Sequence, residues 1–177
     1  MARVAIGFGS NLGDRNDHLG AGFLSLARHW KPVSRSGLYE SEPVGPVEQG
    51  AFLNAVAVFE TAAEPGAVLA GLLGAEETRG RTRDVRWGPR TLDLDLLLYG
   101  DREVNSSGLT VPHPEMASRR FVLDPLLEAW PEAALPDGTP LGTFVPAIAD
   151  QKVVRVGDWS IGRLALSMAA VRRLLKG

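Results

Sequence analysis

The chain has no cysteine, which excludes disulfides, thiol nucleophiles and thiolate metal sites. It is also poor in lysine, since 16 of its 19 Lys+Arg are arginine. Its cation chemistry therefore rests on the fork-shaped guanidinium, which suits carboxylate and phosphate oxygens. No apolar run could span a bilayer, and Met1-Ala2-Arg3-Val4-Ala5-Ile6-Gly7 is too short for a signal peptide, so a cytoplasmic location is expected. There is no Gly-x-x-x-x-Gly-Lys-Ser/Thr, which excludes a P-loop. Gly7, Gly9 and Gly13 miss the dinucleotide-binding spacing and lack its later acidic residue; they read as a turn. A net charge of −2 argues against bulk nucleic-acid binding, although the residues from Asp150 onward are basic.

At 177 residues, 45% hydrophobic and 23% charged, the chain has the make-up of one globular domain, residues 1–177, with no linker or repeat. A strand is expected over Arg3 to Phe8. The helix after it carries Leu19, Phe23, Leu26 and Trp30 on one stripe. A second strand is expected over Val33 to Tyr39, then a breaker-rich loop from Glu42 to Gly50, then a third strand over Phe52 to Thr61. Pro65 opens a second helix with Val68, Leu69, Leu72 and Leu73 as its core stripe. A fourth strand carries Asp93 and Asp95, and a short hairpin reaches Val111-Pro112. Asp124 and Pro125 read as the N-cap and first residue of a further helix, which ends before Pro131. The order β-α-β-β-α-β predicts an α+β, ferredoxin-like sandwich, mainly antiparallel, with helices on one sheet face and the other left for ligands. Past the last helix, Val153 to Val156 reads as a strand. A helix with Leu164, Met168, Val171 and Leu175 on one stripe follows, and this tail is expected to pack on the domain.

The densest chemical signal is Arg86-Trp-Gly-Pro-Arg-Thr-Leu-Asp-Leu-Asp-Leu-Leu-Leu-Tyr99. On a period of two, Leu92, Leu94, Leu96 and Leu98 share one strand face, and Thr91, Asp93, Asp95, Leu97 and Tyr99 the other. Neighbouring carboxylates repel, and a hard divalent cation removes the conflict. Upstream lie Arg79, Arg81, Arg83, Arg86 and Arg90. A metal-holding pair beside an arginine cluster points to a nucleotide polyphosphate site. In the third strand Asn54 shares a face with Phe52, Val56 and Val58; so polar a residue in so apolar a strand needs either a local backbone partner or a ligand with amide-like edges. His113, between two prolines, reads as a loop residue. Arg119, Arg120 and Phe121 join two cations to an aromatic ring.

These segments together resemble one family, the 6-hydroxymethyl-7,8-dihydropterin pyrophosphokinases of folate biosynthesis. The likeness rests on Arg86 to Leu97, Gly9-Ser-Asn-Leu-Gly13, Tyr39-Glu-Ser-Glu-Pro-Val-Gly45, Phe52-Leu-Asn54, Leu109-Thr-Val-Pro-His113 and Arg119 to Leu127, within about residues 3–142. It implies Mg²⁺-dependent transfer of the pyrophosphoryl group of ATP to the pterin hydroxymethyl oxygen, with release of AMP. Asp93 and Asp95 resemble ligands of two Mg²⁺ ions. Ser41, Val44, Phe52, Asn54, Trp87 and Phe121 resemble pterin contacts. Glu76, Arg81, Arg83, Trp87, Arg90, His113 and Arg119 resemble the ATP site, with Arg81 and Arg90 also among the catalytic groups. The partners implied are ATP and the pterin, with no nucleic acid or membrane, and a monomer is expected. Two readings compete with this one. A nucleotide-sugar glycosyltransferase also uses Asp-x-Asp with a metal, and an RNA-binding ferredoxin-like module is disfavoured by two acids on the exposed sheet face.

Overall fold

The structure, a computed structural model, describes residues 1–46, 48–81 and 88–160. The strand β1 (Ala2–Ser10) leads to α1 (Arg15–Leu26), where the Asp14 side chain accepts from the Asp17 N–H and caps the helix start. Then come β2 (Lys31–Arg35), β3 (Leu38–Ser41), β4 (Phe52–Thr61), α2 (Pro65–Thr78) and β5 (Asp93–Tyr99). The hairpin β6 (Val104–Ser106) and β7 (Leu109–Val111) precedes α3 (Arg120–Ala129), and β8 (Val153–Gly157) follows. One sheet runs β5-β1-β4-β3-β8, with β2 also on β4, and every pair is antiparallel. This is the expected α+β, ferredoxin-like arrangement, enlarged by β8.

Two apolar layers form. Val4, Ile6, Phe8, Ala57, Phe59, Leu94 and Leu96 pack under α1 and α2. Ala5, Val56, Val58, Leu97 and Leu98 pack under α3 with Met116, Leu123 and Leu126. Helices therefore lie on both faces, which corrects the one-sided expectation. What stays open on the α3 face is the stretch of sheet that α3 does not reach.

Several local expectations are also corrected. Residues 33–39 form two strands rather than one, because Ser36 interrupts them: its N–H donates to Val56 O, while its hydroxyl accepts from Val56 N. The helix at 124–131 starts earlier, at Arg120, and Pro125 sits inside it. On α2, Leu73 is exposed, and Ala75 and Glu76 are buried instead. Gly7 and Gly9 belong to β1 rather than to a turn; only Gly13 of that trio has a left-handed φ, of 62°. In β5, Ala5 pairs with Leu98 and Ile6 with Leu96, so Leu97 is an extra, bulged residue. The bulge reverses the alternation: Leu98 turns to the α3 face and Tyr99 to the α1/α2 face, opposite to the period-two reading.

The β8 strand bears out the strand expected at Val153 to Val156, and Trp159 just beyond it enters the α1/α2 core, 5.1 Å from Phe8 between ring centroids. The expected helix with Leu164, Met168, Val171 and Leu175 lies outside the described residues.

Candidate active site

The open stretch of the α3 face is the floor of a cleft of about 810 Å³, including its mouth. Alternation places its floor: Gly7 and Gly9 of β1, Asn54 and Val56 of β4, and Asp93, Asp95 and Leu97 of β5 all line it. Gly9 pairs with both Asn54 and Asp93, so the central strand carries no side chain between them. A Cβ on Gly9 would lie 3.7 Å from the Asp93 Cβ and 3.8 Å from Asn54 Oδ1. Ser41, Val44, Phe52, Arg90, His113, Arg119 and Phe121 complete the lining.

At one end Asn54, 6% exposed, donates its amide to Ser41 Oγ at 2.9 Å. Local and ligand readings of this Asn are thus compatible, since the protein engages Nδ2 while Oδ1 faces Gly9. Phe52 and Phe121 add flat apolar surface to the same cleft. At the other end Asp93 is gripped by two guanidiniums, by Arg81 at 2.6 Å and by Arg90. Asp95 is open through the cleft mouth but walled by protein elsewhere. That desolvation first, and the Asp93 charge second, raise its pKa; His113, Arg81 and Arg119 pull the other way. Two carboxylates in mutual conflict form the donor set that a hard divalent cation relieves, and Mg²⁺ commonly takes one or two carboxylates plus phosphate oxygens. Among the described residues no third His or acid joins them in a cage.

His113 lies in a loop, as its prolines suggest, yet it lines the cleft. Its Nδ1 accepts from the Glu115 N–H at 3.2 Å, so in the neutral ring Nε2 carries the proton and is the donor. Arg119 lines the cleft, pairs with Glu115 and stands 5.8 Å from the Phe121 ring centroid. Arg120 instead bonds Asp124, Ala149 O and Gln151 O, away from the cleft. Glu76 and Arg81 do not line it. Glu76, 2% exposed, is paired with Arg81 and accepts from the Leu94 N–H at 2.8 Å, so it braces the start of β5 beneath Asp93. Arg79 leaves the expected arginine cluster to pair with Asp17 at 2.5 Å and His18 at 3.0 Å. Arg83, Arg86 and Trp87 lie outside the described residues. Sequence reasoning missed Gly7, Gly9 and Gln49 as lining residues. The two glycines are legible only once β1 is known to lie between β4 and β5.

The chain is similar to known proteins over this same region. A family model described as 7,8-dihydro-6-hydroxymethylpterin-pyrophosphokinase matches residues 5–131. A 2-amino-4-hydroxy-6-hydroxymethyldihydropteridine pyrophosphokinase of Pseudomonas aeruginosa is 40% identical over 88% of this chain and 98% of its own length. Its Haemophilus influenzae counterpart is 37% identical over 88% and 99%. Among solved structures, wild-type HPPK-DHPS of Plasmodium falciparum aligns with a TM-score of 0.64 at 12% identity, over 82% of this chain. The chain spans 44% of that protein, and at such identity the likeness speaks for the fold.

Proposed function

Because this chain belongs to the 7,8-dihydro-6-hydroxymethylpterin-pyrophosphokinase family, which transfers pyrophosphate from ATP to hydroxymethyldihydropterin in folate biosynthesis, we propose that the cleft over Gly9 is where it does so. The observation that carries the assignment is the joining of two ends in one cleft. A hydrogen-bonding amide, Asn54, pairs with Gly9 on one side, and Asp93 on the other, beside Asp95 and the arginines, while Phe52 and Phe121 line the same cleft.

In this reading Asn54, oriented by Ser41, meets the polar edge of the pterin, while Phe52 and Phe121 cover its faces and Val44 closes the rim. Trp87 and Arg83 are assigned to the pterin and ATP by the resemblance alone. Asp93 and Asp95 would hold two Mg²⁺ ions, which when bound would supply positive charge against the polyphosphate and against the attacking oxygen. Arg90 and Arg119, with Arg81 behind Asp93, present guanidiniums to phosphate oxygens. The His113 Nε2–H donates to charge that builds on the leaving AMP. Glu76 holds Arg81 and the first residues of β5 in place rather than touching substrate. The protein's share is positioning and electrostatics, because the hydroxymethyl oxygen attacks the β-phosphorus in line with little covalent work left to side chains.

The proposal includes a monomeric, cytoplasmic enzyme. Among the described residues no helix is long and apolar enough to cross a membrane. The test is a ³¹P spectrum of protein, ATP, Mg²⁺ and 6-hydroxymethyl-7,8-dihydropterin. AMP and a pterin diphosphate should appear one for one. ADP with a pterin monophosphate would overturn the reaction class.

A further inference from the structure

The bulge in β5 lies just past Asp95, and the mechanism above makes no use of it. Asp95 pairs with Gly7, Leu96 with Ile6 and Leu98 with Ala5, which leaves Leu97 without a partner on β1. Without Leu97 the two flanking ladders would join in register, and the faces would alternate unbroken from Asp93 to Tyr99. The sheet therefore does not need the extra residue. What Leu97 adds is one side chain on the cleft floor and one peptide. Planarity decides where that peptide points. At a bulge the N–H that follows the extra residue turns to the partner strand, so the carbonyl across the same peptide turns away from it. That carbonyl, Leu97 O, accepts from the His113 N–H at 2.9 Å. In Pro112-His113-Pro114 this N–H is the only backbone donor, since a proline has none. The His113 carbonyl in turn accepts from the Met116 N–H at 3.1 Å, and its Nδ1 from the Glu115 N–H at 3.2 Å. Held in this way, His113 stands near enough to Asp95 to oppose the rise in its pKa that burial and Asp93 cause.

We propose that Leu97 is a positioning residue, whose carbonyl, turned out of the ladder by the bulge, sets where His113 stands in the cleft. The role belongs to the backbone and not to the leucine side chain. A regular β5 would offer its nearest outward carbonyl one residue away, about 3.3 Å along the strand. A catalytic donor tolerates far less, since a shift of about 1 Å can cost about 100-fold in rate. This rests on the reading of His113 given above, and its test separates the two.

The test is a double-mutant cycle on steady-state AMP release, combining deletion of Leu97 with His113→Ala. In the unaltered protein His113→Ala should lower kcat by at least about 10-fold, the loss of one donor to developing charge. Deletion of Leu97 should leave the circular dichroism unchanged and lower kcat by at least about 10-fold as well. Within the deletion, His113→Ala should cost less than about 3-fold more, because the ring is already displaced. Leu97→Ala loses the same side chain and keeps the carbonyl, so there the His113→Ala loss should stay at about 10-fold or more. Should the deletion fail to fold, ligation with the α-hydroxy analogue of His113 replaces its N–H by an ester oxygen and leaves Leu97 in place. That variant should lose at least about 5-fold in kcat. A His113→Ala loss that persists in the deletion overturns the role, as does one that vanishes in Leu97→Ala. So does an ester variant within about 2-fold of the unaltered kcat. If His113→Ala leaves the kcat of the unaltered protein unchanged, the reading of His113 falls and this inference with it. No AMP release from the unaltered protein overturns the functional reading itself.

Discussion

The face of the sheet under α1 and α2 and the face under α3 are built by the same strands, yet they do different work. Under α1 and α2 the inward residues are apolar from Val4 to Phe8 and from Leu53 to Phe59, and the helices cover them end to end. Under α3 the apolar pattern holds for Ala5, Val56, Val58, Leu97 and Leu98, then gives way at Gly7, Gly9, Asn54, Asp93 and Asp95. The helix ends where the polar residues begin. One face is a closed core that sets the register, and the other leaves part of its area open as the cleft. Because the two share strands, the register that the apolar face sets also decides which residues of β1, β4 and β5 face the cleft.

The comparison breaks most visibly if the acids are removed. Asp93→Ala or Asp95→Ala should lower turnover by about a thousandfold or more, since metal-borne charge stabilisation is worth several kcal/mol. The fold should survive, because both lie outside the buried core. Steady-state AMP release together with unchanged circular dichroism checks both halves, and either variant retaining near-normal rate would sink the metal assignment. The closed face should behave the other way. Phe59, fully buried against Phe23 and Trp30, should lose about 3–5 kcal/mol of stability on truncation to Ala. Its folded fraction should keep a near-normal rate, as read by urea denaturation beside the activity of the same sample.

A third change acts on the cleft alone. Asn54→Ala should weaken pterin binding by about 10- to 100-fold, as expected when a site built to hydrogen-bond a ligand loses its partner. Nucleotide binding should stay within about threefold if, as the geometry suggests, that end is carried by other residues. Calorimetry with each ligand separately reads the split, and equal pterin affinities would make Asn54 a strut for Ser41 and nothing more.

How much of this was legible in the sequence differs between the two faces. The alternation of Leu53, Ala55, Ala57 and Phe59 against Phe52, Asn54, Val56 and Val58 is local, and it reads correctly from one strand. The bulge at Leu97 does not, because nothing in Leu96-Leu97-Leu98 marks which leucine is extra; only pairing with Ala5 and Ile6 decides. The break between β2 and β3 depends on the Ser36 hydroxyl reaching the Val56 N–H, twenty residues away in sequence. The start of α3 was misplaced for a different reason. Asp-Pro is a good helix opening, but here Leu123, Leu126 and Ala129 are buried, and that packing outweighs the one backbone hydrogen bond that Pro125 cannot make. The site residues were recognisable as a set through the resemblance, while their division into a cleft lining and the Glu76–Arg81 brace required the third dimension.

The faces also differ in how their helices are fastened, and that difference is open to titration. Near the sheet edge α3 is held by a polar cluster: Glu128 accepts from the Gly37 N–H at 2.9 Å and the Tyr39 hydroxyl at 2.8 Å, and pairs with Arg155 of β8 at 3.2 Å. Burial alone would raise the Glu128 pKa. The Tyr39 hydroxyl, the Gly37 N–H and the Arg155 guanidinium outweigh it and hold the pKa below the ordinary 4.5. Tyr39 is pushed up to about 12, by burial first and by the Glu128 carboxylate next. The signs follow by linkage. Glu128, lowered on folding, contributes stability that is present above pH 4.5 and is lost as pH falls through its lowered pKa. Tyr39, raised on folding, contributes stability that is full below its ordinary pKa of 10.0 and is lost as pH rises toward about 12. Solvent reaches this cluster, so its effect should be the smallest of the four. Glu128→Gln should bring the tyrosinate absorbance step of Tyr39, isolated by difference against Tyr39→Phe, back toward 10.0. It should also flatten the acid limb of the stability curve while leaving the α1/α2 core packing unaltered. A Tyr39 titration that stays near 12 in the glutamine variant would assign the shift to burial alone.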